Sequence, residues 1–274
     1  MRVESVTSIG SPIKAVARKA GIRRAGVAAL RLHAERAVLA TTSRRGTTAA
    51  GRILCYHSIG TRQWGVNDVS PDRFRSQIEL ALKLGYRFVP AAVVAQGKAS
   101  KSDLAITFDD GLLTVATNAA PILADYGIPW TLFVVADWTD GRHDFGEGVI
   151  MSWSDVAWLA GHGVEIGSHS LSHPDFGSLA LDAVRRELGE SRRLIEARTG
   201  IRPNAFAIPL GQSKNWSRDA HEAARDAGYE LVYAQSVFNR PPGTVPRTFI
   251  TRADHRRHFK AAIEGAFDAW EEWV

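Results

Sequence analysis

A single cysteine in 274 residues, Cys55, excludes any intrachain disulfide. Stability must then come from a packed core, and the low cysteine usage fits a reducing compartment. No uncharged apolar run is long enough to cross a bilayer. Met1-Arg2-Val3-Glu4-Ser5 is not followed by an unbroken apolar stretch, so a secretory leader is not expected. Internal repeats and low-complexity tracts are also missing. These absences imply a cytoplasmic setting, with association to a membrane surface as the second reading.

Charge is plentiful but unevenly placed. The net charge is +5, yet residues 1–52 alone hold eleven Lys or Arg against Glu4 and Glu35. The rest of the chain is therefore mildly acidic. This asymmetry divides the chain into a basic, largely helical extension over 1–48 and a barrel-sized domain over 49–274. Thr41 to Thr48 is polar, contains Gly46, and is the linker candidate. Ile13 to Leu39, rich in Ala, Arg and Leu, reads as helix with breaks at Gly21 or Gly26. Val27, Leu30, Ala34 and Val38 share one face, which predicts a helix laid on the barrel with its arginines in water. A contact with an anionic membrane or polymer is the competing reading. Nucleic acid is not expected, because no recognition motif accompanies the charge. Removal of residues 1–48 is expected to leave the barrel folded and active, and an insoluble truncation would instead support the helix laid on the barrel.

From Ile53 onward, short β-branched runs alternate with amphipathic segments. Strands are predicted at Ile53–Tyr56, Arg87–Val89, Leu104–Phe108, Thr131–Val135, Val164–Gly167, Ala205–Ile208 and Leu231–Ala234. Helices between them carry readable ends: Ser70 with Pro71 at one start, Gly127, Gly200 and Gly228 at three stops. Alternation of this kind predicts a parallel sheet with helices outside it, closed into a (β/α) barrel of about seven strands.

Two strand ends carry chemistry. Leu104 to Phe108 is wholly apolar apart from Thr107 and stops at Asp109-Asp110-Gly111. Val164 to Gly167 runs into Ser168-His169-Ser170-Leu171-Ser172-His173, with two histidines four apart. One carboxylate and two imidazoles make a divalent-metal donor set, and a spare carboxylate beside it is a ready base. Asp-Gly alone is a common turn, which explains one aspartate but not the pair. His57 also follows a strand, and is either a proton donor or a structural residue near Tyr56. Tyr56, Phe108, Trp153 and Trp158 read as packing, whereas Trp216 sits in a strand-end loop and is the candidate substrate contact. Cys55 lies in an apolar strand and reads as inert. Arg252, His255, Arg256, Arg257 and His258 read as a solvated helix start.

Thr107-Phe108-Asp109-Asp110-Gly111, followed by His169-Ser170-Leu171-Ser172-His173, resembles the first two motifs of the polysaccharide deacetylases, the nodulation-protein-B homology domain. The match runs from about Ile53 to about Ile250. Ile53 to Gly60 resembles the opening strand of the branch that begins with a Tyr-His pair. Phe206 to Gly211 resembles the third motif, and Val245-Pro246-Arg247 the last strand. The resemblance implies a distorted (β/α) barrel and a zinc or similar ion on Asp110, His169 and His173. It also implies Asp109 as base and His57 as acid; spacing by itself does not order the two aspartates. The backbone N–H of Leu210 would face the oxyanion. The implied substrate is an N-acetylated saccharide in a glycan or glycolipid.

Two features of the family pattern are missing here. Ala207 stands where the third motif usually has an arginine that orients the base, and no late Leu-x-x-His supplies an acid. Arg247 is the candidate replacement for the first, and His57 for the second. A sugar-binding pseudoenzyme and a metal amidase acting on a small non-sugar amide are the alternatives from other classes.

Overall fold

The computed structural model describes residues 24–42, 51–61, 63–235 and 243–268, with side chains of the first helix from Leu30 onward. Helix α1 (Arg24–Thr42) precedes strand β1 (Arg52–Tyr56). Two short strands, β2 (Ser58–Ile59) and β3 (Asp68–Val69), pair only with each other. Then follow α2 (Pro71–Lys83), β4 (Arg87–Phe88), α3 (Ala91–Ala95), β5 (Asp103–Phe108) and α4 (Ala120–Asp125). The middle of the chain supplies β6 (Trp130–Val134), α5 (Ala136–Thr139), α6 (Trp153–Gly161), β7 (Glu165–Ser168) and α7 (Leu181–Thr199). Last come β8 (Ala205–Ala207), α8 (Arg218–Asp226), β9 (Leu231–Tyr233), β10 (Thr244–Val245), β11 (Thr248–Phe249) and α9 (Arg256–Ile263).

The main sheet is wholly parallel, in the order β10-β9-β8-β7-β6-β5-β1-β11, with β4 added beside β5. Its two edge strands, β10 and β11, are separated in sequence by Pro246 and Arg247 alone. A link that short cannot cross an open sheet, because two residues span only about 7 Å. The sheet therefore curls until its edges meet, and Arg247 sits in the seam. Pro246 suits that place, having no N–H to offer a ladder. The last strand implied by the resemblance is thus split in two around the seam.

Helix ends follow the side chains that cap them. Ser70 accepts from the Arg73 N–H at the start of α2, and Ser152 with Asp155 forms a reciprocal cap on α6. Gly200, at φ 72°, closes α7. The segment before α4 departs from the expected helix: residues Val115–Ala119 form a wide π turn. Pro121, which has no N–H, interrupts the regular ladder there.

The extension packs differently from its apolar pattern. Helix α1 runs through Gly26 without a break and lies against α9. Leu30 and Val38 are 68% and 57% exposed, and Ala34 is exposed too. The buried side chains are Leu32 and Arg36, about 180° around the helix from the predicted face at 100° per residue. Arg36 makes this choice. Its Nε and Nη2 donate to the two carboxylate oxygens of buried Asp254 at 2.8 and 2.7 Å, and Nη2 also reaches the Phe249 carbonyl. Its guanidinium lies 4.3 Å over the Phe267 ring. Val27's side chain, the stretch 13–23 and most of the linker candidate lie outside the described residues. Part of the basic charge on which the membrane reading rests, from Arg2 to Arg23, also lies outside them, and Arg36 of that set is spent on Asp254. Among the described residues, no helix is long and apolar enough to cross a membrane.

Candidate active site

Parallel pairing brings the chemistry-bearing strand ends together. Tyr56 pairs with Phe108, so His57 and Asp109 emerge side by side from β1 and β5. Val134 pairs with Ser168, and the His169 N–H donates to the Val134 carbonyl. Ser168 pairs with Phe206, which aligns β8 and the Ile208–Gly211 turn beside them. These groups line a cavity of about 480 Å³ at the carboxyl ends of the strands. Gly167 lets β7 approach closely: a Cβ there would lie 2.4 Å from the Phe133 ring.

Asp110, His169 and His173 each present one donor atom, all within 4.8 Å of one another. Asp110 Oδ1 is 3.6 Å from His169 Nε2 and 3.7 Å from His173 Nε2. Donors around a tetrahedral zinc stand about 3.4 Å apart, so the set fits such an ion with small adjustments. His169 is held through its other ring nitrogen. Its Nδ1 lies 2.8 Å from the Ala207 carbonyl, which makes Nδ1–H the donor and leaves the Nε2 lone pair toward Asp110. Burial pushes the His169 imidazole down to about 4, although Asp109 and Asp110 pull the other way. The ring is therefore neutral, as a ligand must be, through the physiological range.

Asp109 also lies near that set, its Oδ2 3.9 Å from His169 Nε2, but both of its oxygens are taken by Arg247. Nη1 and Nη2 donate to Oδ1 and Oδ2 at 2.7 and 2.8 Å, a two-pronged pair inside the barrel. Nη1 also reaches Thr107 Oγ1, and the guanidinium lies 5.3 Å from the Phe133 ring centre. Burial alone would raise the Asp109 carboxyl; Arg247, with His169 beyond it, outweighs burial and holds it well below the usual carboxylate range. Cys55 is not a bystander in the strand: its thiol donates to Asp109 Oδ2 at 3.4 Å, and burial pushes that thiol up. Cys55, His57 and Asp109 also cluster within 4.8 Å, but the guanidinium on Asp109 already supplies the positive charge there. His57 lines the cavity, its ring edge-on to Phe249 at 5.3 Å and its Nδ1 buried without a hydrogen-bond partner among the described residues.

Backbone strain is concentrated at this site. Among the described residues, four non-glycine residues adopt left-handed φ: Asp110 (74°), Ser170 (73°), His173 (62°) and Leu210 (63°). Each such residue costs about 1–3 kcal/mol and persists only where surroundings enforce it. Glu187 of α7 supplies part of that enforcement between the two histidines. Its buried carboxylate accepts from the Leu171 and Ser172 N–H groups at 3.0 and 2.9 Å and from Ser172 Oγ at 2.8 Å. Glu187→Ala is expected to cost about 2 kcal/mol, the desolvation penalty of donors left unmet. It should weaken metal uptake through the loosened loop; chemical unfolding and a metal titration check the two effects separately.

One candidate is displaced. Trp216 is 4% exposed and stacks on Phe206 at 5.6 Å, with Phe176 at 5.3 Å. It belongs to the core between β8 and α8, because the turn Ser213–Asn215 faces its own Gln212 and Lys214 to the cavity and folds the indole beneath. Leu210 stays at the cavity, half exposed. The aromatic wall is instead Trp64, Trp138 and Phe145. Nothing in their loops marked them in advance. Glu187 did carry a signal, as a carboxylate on the face of α7 that buries Val184, Leu188 and Ile195.

The polysaccharide deacetylase family model matches residues 96–232, half of the chain, which includes both aspartates and both histidines. The chain belongs to the polysaccharide deacetylase family. YxkH of Bacillus subtilis is 24% identical over 226 residues, covering 80% of this chain and 75% of that protein. The chitooligosaccharide deacetylase of Sinorhizobium fredii is 26% identical over 130 residues, 47% of this chain and about half, 54%, of that enzyme. In fold, the de-N-acetylase from Aggregatibacter actinomycetemcomitans superposes with a TM-score of 0.66 at 20% identity, covering 77% of this chain and 98% of that one. The curled parallel sheet is therefore the deacetylase-type (β/α) barrel. At the stretch that resembles the third motif, Ala207 offers a carbonyl to His169, and the guanidinium on Asp109 comes from Arg247.

Proposed function

We propose that this protein is a metal-dependent hydrolase that removes N-acetyl groups from an acetylated amino sugar in a glycan or glycolipid. One observation carries the reading: three metal donors converge in an open cavity beside a carboxylate that an arginine keeps ionised. Asp110, His169 and His173 would hold the ion, with zinc the first choice for a His₂Asp set. Bound there, a divalent ion polarises an amide carbonyl and makes water easier to deprotonate. Asp109 takes the proton of the attacking water; Arg247 fixes its orientation and its charge. The Leu210 N–H donates to the carbonyl oxygen as negative charge develops on it. His57 delivers a proton to the departing amine. The names carried by the chitooligosaccharide deacetylase and de-N-acetylase relatives support the choice of an N-acetyl sugar.

Acetate release from N-acetylglucosamine oligomers by zinc-loaded protein tests the reading, with other N-acetylated glycans and simple amides as comparison substrates. Release that disappears with chelation and returns with metal is the expected result. Stoichiometric metal with no turnover on any substrate would favour a sugar-binding pseudoenzyme, and turnover of simple amides alone a different amidase. The proton-donor role of His57 has its own signature. His57→Ala should lower turnover by about 10²–10⁴-fold while leaving metal content unchanged, and a variant with parental turnover would make His57 structural.

A further inference from the structure

A carboxylate has two oxygens, and only one of those on Asp110 faces the imidazoles. Oδ1 is turned to His169 and His173, while Oδ2 accepts the indole N–H of Trp64 at 2.9 Å. Trp64 comes from the loop between β2 and β3, far in sequence from either motif. Indole nitrogen is a donor only, so this contact can hold the carboxylate in one sense and cannot invert. The bond to an ionised partner is of the stronger, charge-assisted kind. Asp110 also needs holding, since its left-handed backbone is strained.

The same indole is braced from behind. Its ring meets Phe145 edge-on at 5.1 Å, and Phe145 meets Trp138 at 4.8 Å. Trp138 in turn stacks on the His173 ring at 5.1 Å and 27°. An aromatic arch thus runs from one donor, Asp110, to another, His173, across two loops.

We propose that Trp64 is a positioning residue for the metal site: its N–H occupies Asp110 Oδ2, which keeps Oδ1 turned to the two imidazoles, and the arch through Phe145 and Trp138 keeps both donors in register. This rests on the reading of Asp110, His169 and His173 as the metal set. Partners of this kind typically contribute 10–100-fold to metal affinity.

Zinc affinity of the full chain, measured by competition with a chromophoric chelator, tests the assignment without recourse to turnover. Trp64→Phe keeps the ring and its packing but removes the N–H; affinity should fall by about 10–100-fold. Trp64→His restores an N–H at the ring edge and should recover part of the loss. Trp158→Phe, an exposed indole stacked on His162 away from the cavity, should change nothing. The zinc-induced rise in thermal midpoint, each variant compared with its own metal-free form, should shrink in Trp64→Phe. Zinc bound by Trp64→Phe within threefold of the parent overturns the proposal, as does a loss that Trp64→His fails to reduce at all. A parent protein that binds no zinc removes the metal-site reading itself, so the two failures are told apart by the parent alone.

Discussion

Asp109→Asn is expected to reduce acetate release by about 10²–10⁴-fold, the usual contribution of a positioned base, with zinc uptake at the parent level. The amide keeps the shape and one acceptor oxygen, but it cannot take a proton. Separation of the two effects follows from geometry: Asp109 is tied to Arg247, while Asp110 Oδ1 faces the imidazoles. Measured metal content and turnover of the variant decide the matter, and an Asp109→Asn protein without metal would exchange the roles of the two aspartates. Arg247→Met tests the same pair through pH. With its guanidinium present, the folded carboxyl is depressed, so Asp109 stays ionised through the working range and gives up its pairing energy only in strong acid, as pH falls through that depressed value. Without the guanidinium, burial dominates and raises the carboxyl. The acid limb of the rate profile should then move upward by at least about one pH unit. A limb that stays in place would mean that Arg247 is not what keeps the base charged.

Arg36→Ala should destabilise the fold by about 3 kcal/mol, because it leaves the buried carboxylate of Asp254 without its guanidinium. That is a large share of the roughly 5–15 kcal/mol that holds a typical domain together. Asp254 keeps its bonds from Thr251 N and Oγ1, which places the loss at the lower end of the range for broken buried pairs. Removing residues 1–48 deletes the same guanidinium and exposes the surface under Leu32. The truncated chain is therefore expected to unfold earlier in urea than the parent, in contrast to the dispensable extension that composition implies. The Arg36 contact to the Phe249 carbonyl also links this helix to β11, whose Phe249 ring meets His57 at the cavity. A truncation with parental stability would show that α1 is a separate appendage.

Much of the candidate site is legible in the chain itself. Asp109, Asp110, His169 and His173 announce themselves because polar, chemically capable side chains end apolar strands, where a buried charge has no other reason to be. The barrel was legible for a similar reason, since alternating strand and helix periods leave few ways to cover a parallel sheet. What the periodicity misjudged were side chains whose partners lie far along the chain. Arg36 pairs across 218 residues, whereas Arg247, which pairs with Asp109 across 138, was already the candidate replacement for the missing arginine. Arginine in an amphipathic helix normally faces water, and only the position of Asp254 makes burial the better outcome. Trp216 erred in the opposite direction, as a loop aromatic drawn beneath Phe206 and Phe176 into the core.

The chain's own order of residues determined the strand ends, the donor types and their spacing, because these depend on local polarity and on neighbours within one segment. Tertiary structure decided how those ends are armed. Closure of the sheet at Pro246 and Arg247 delivered the arginine that Ala207 does not supply, and the loops carrying Trp64, Trp138 and Phe145 met only when distant strand ends were brought side by side. Such contacts join segments with no local periodicity in common. No pattern within either segment encodes them; they exist once the barrel is formed.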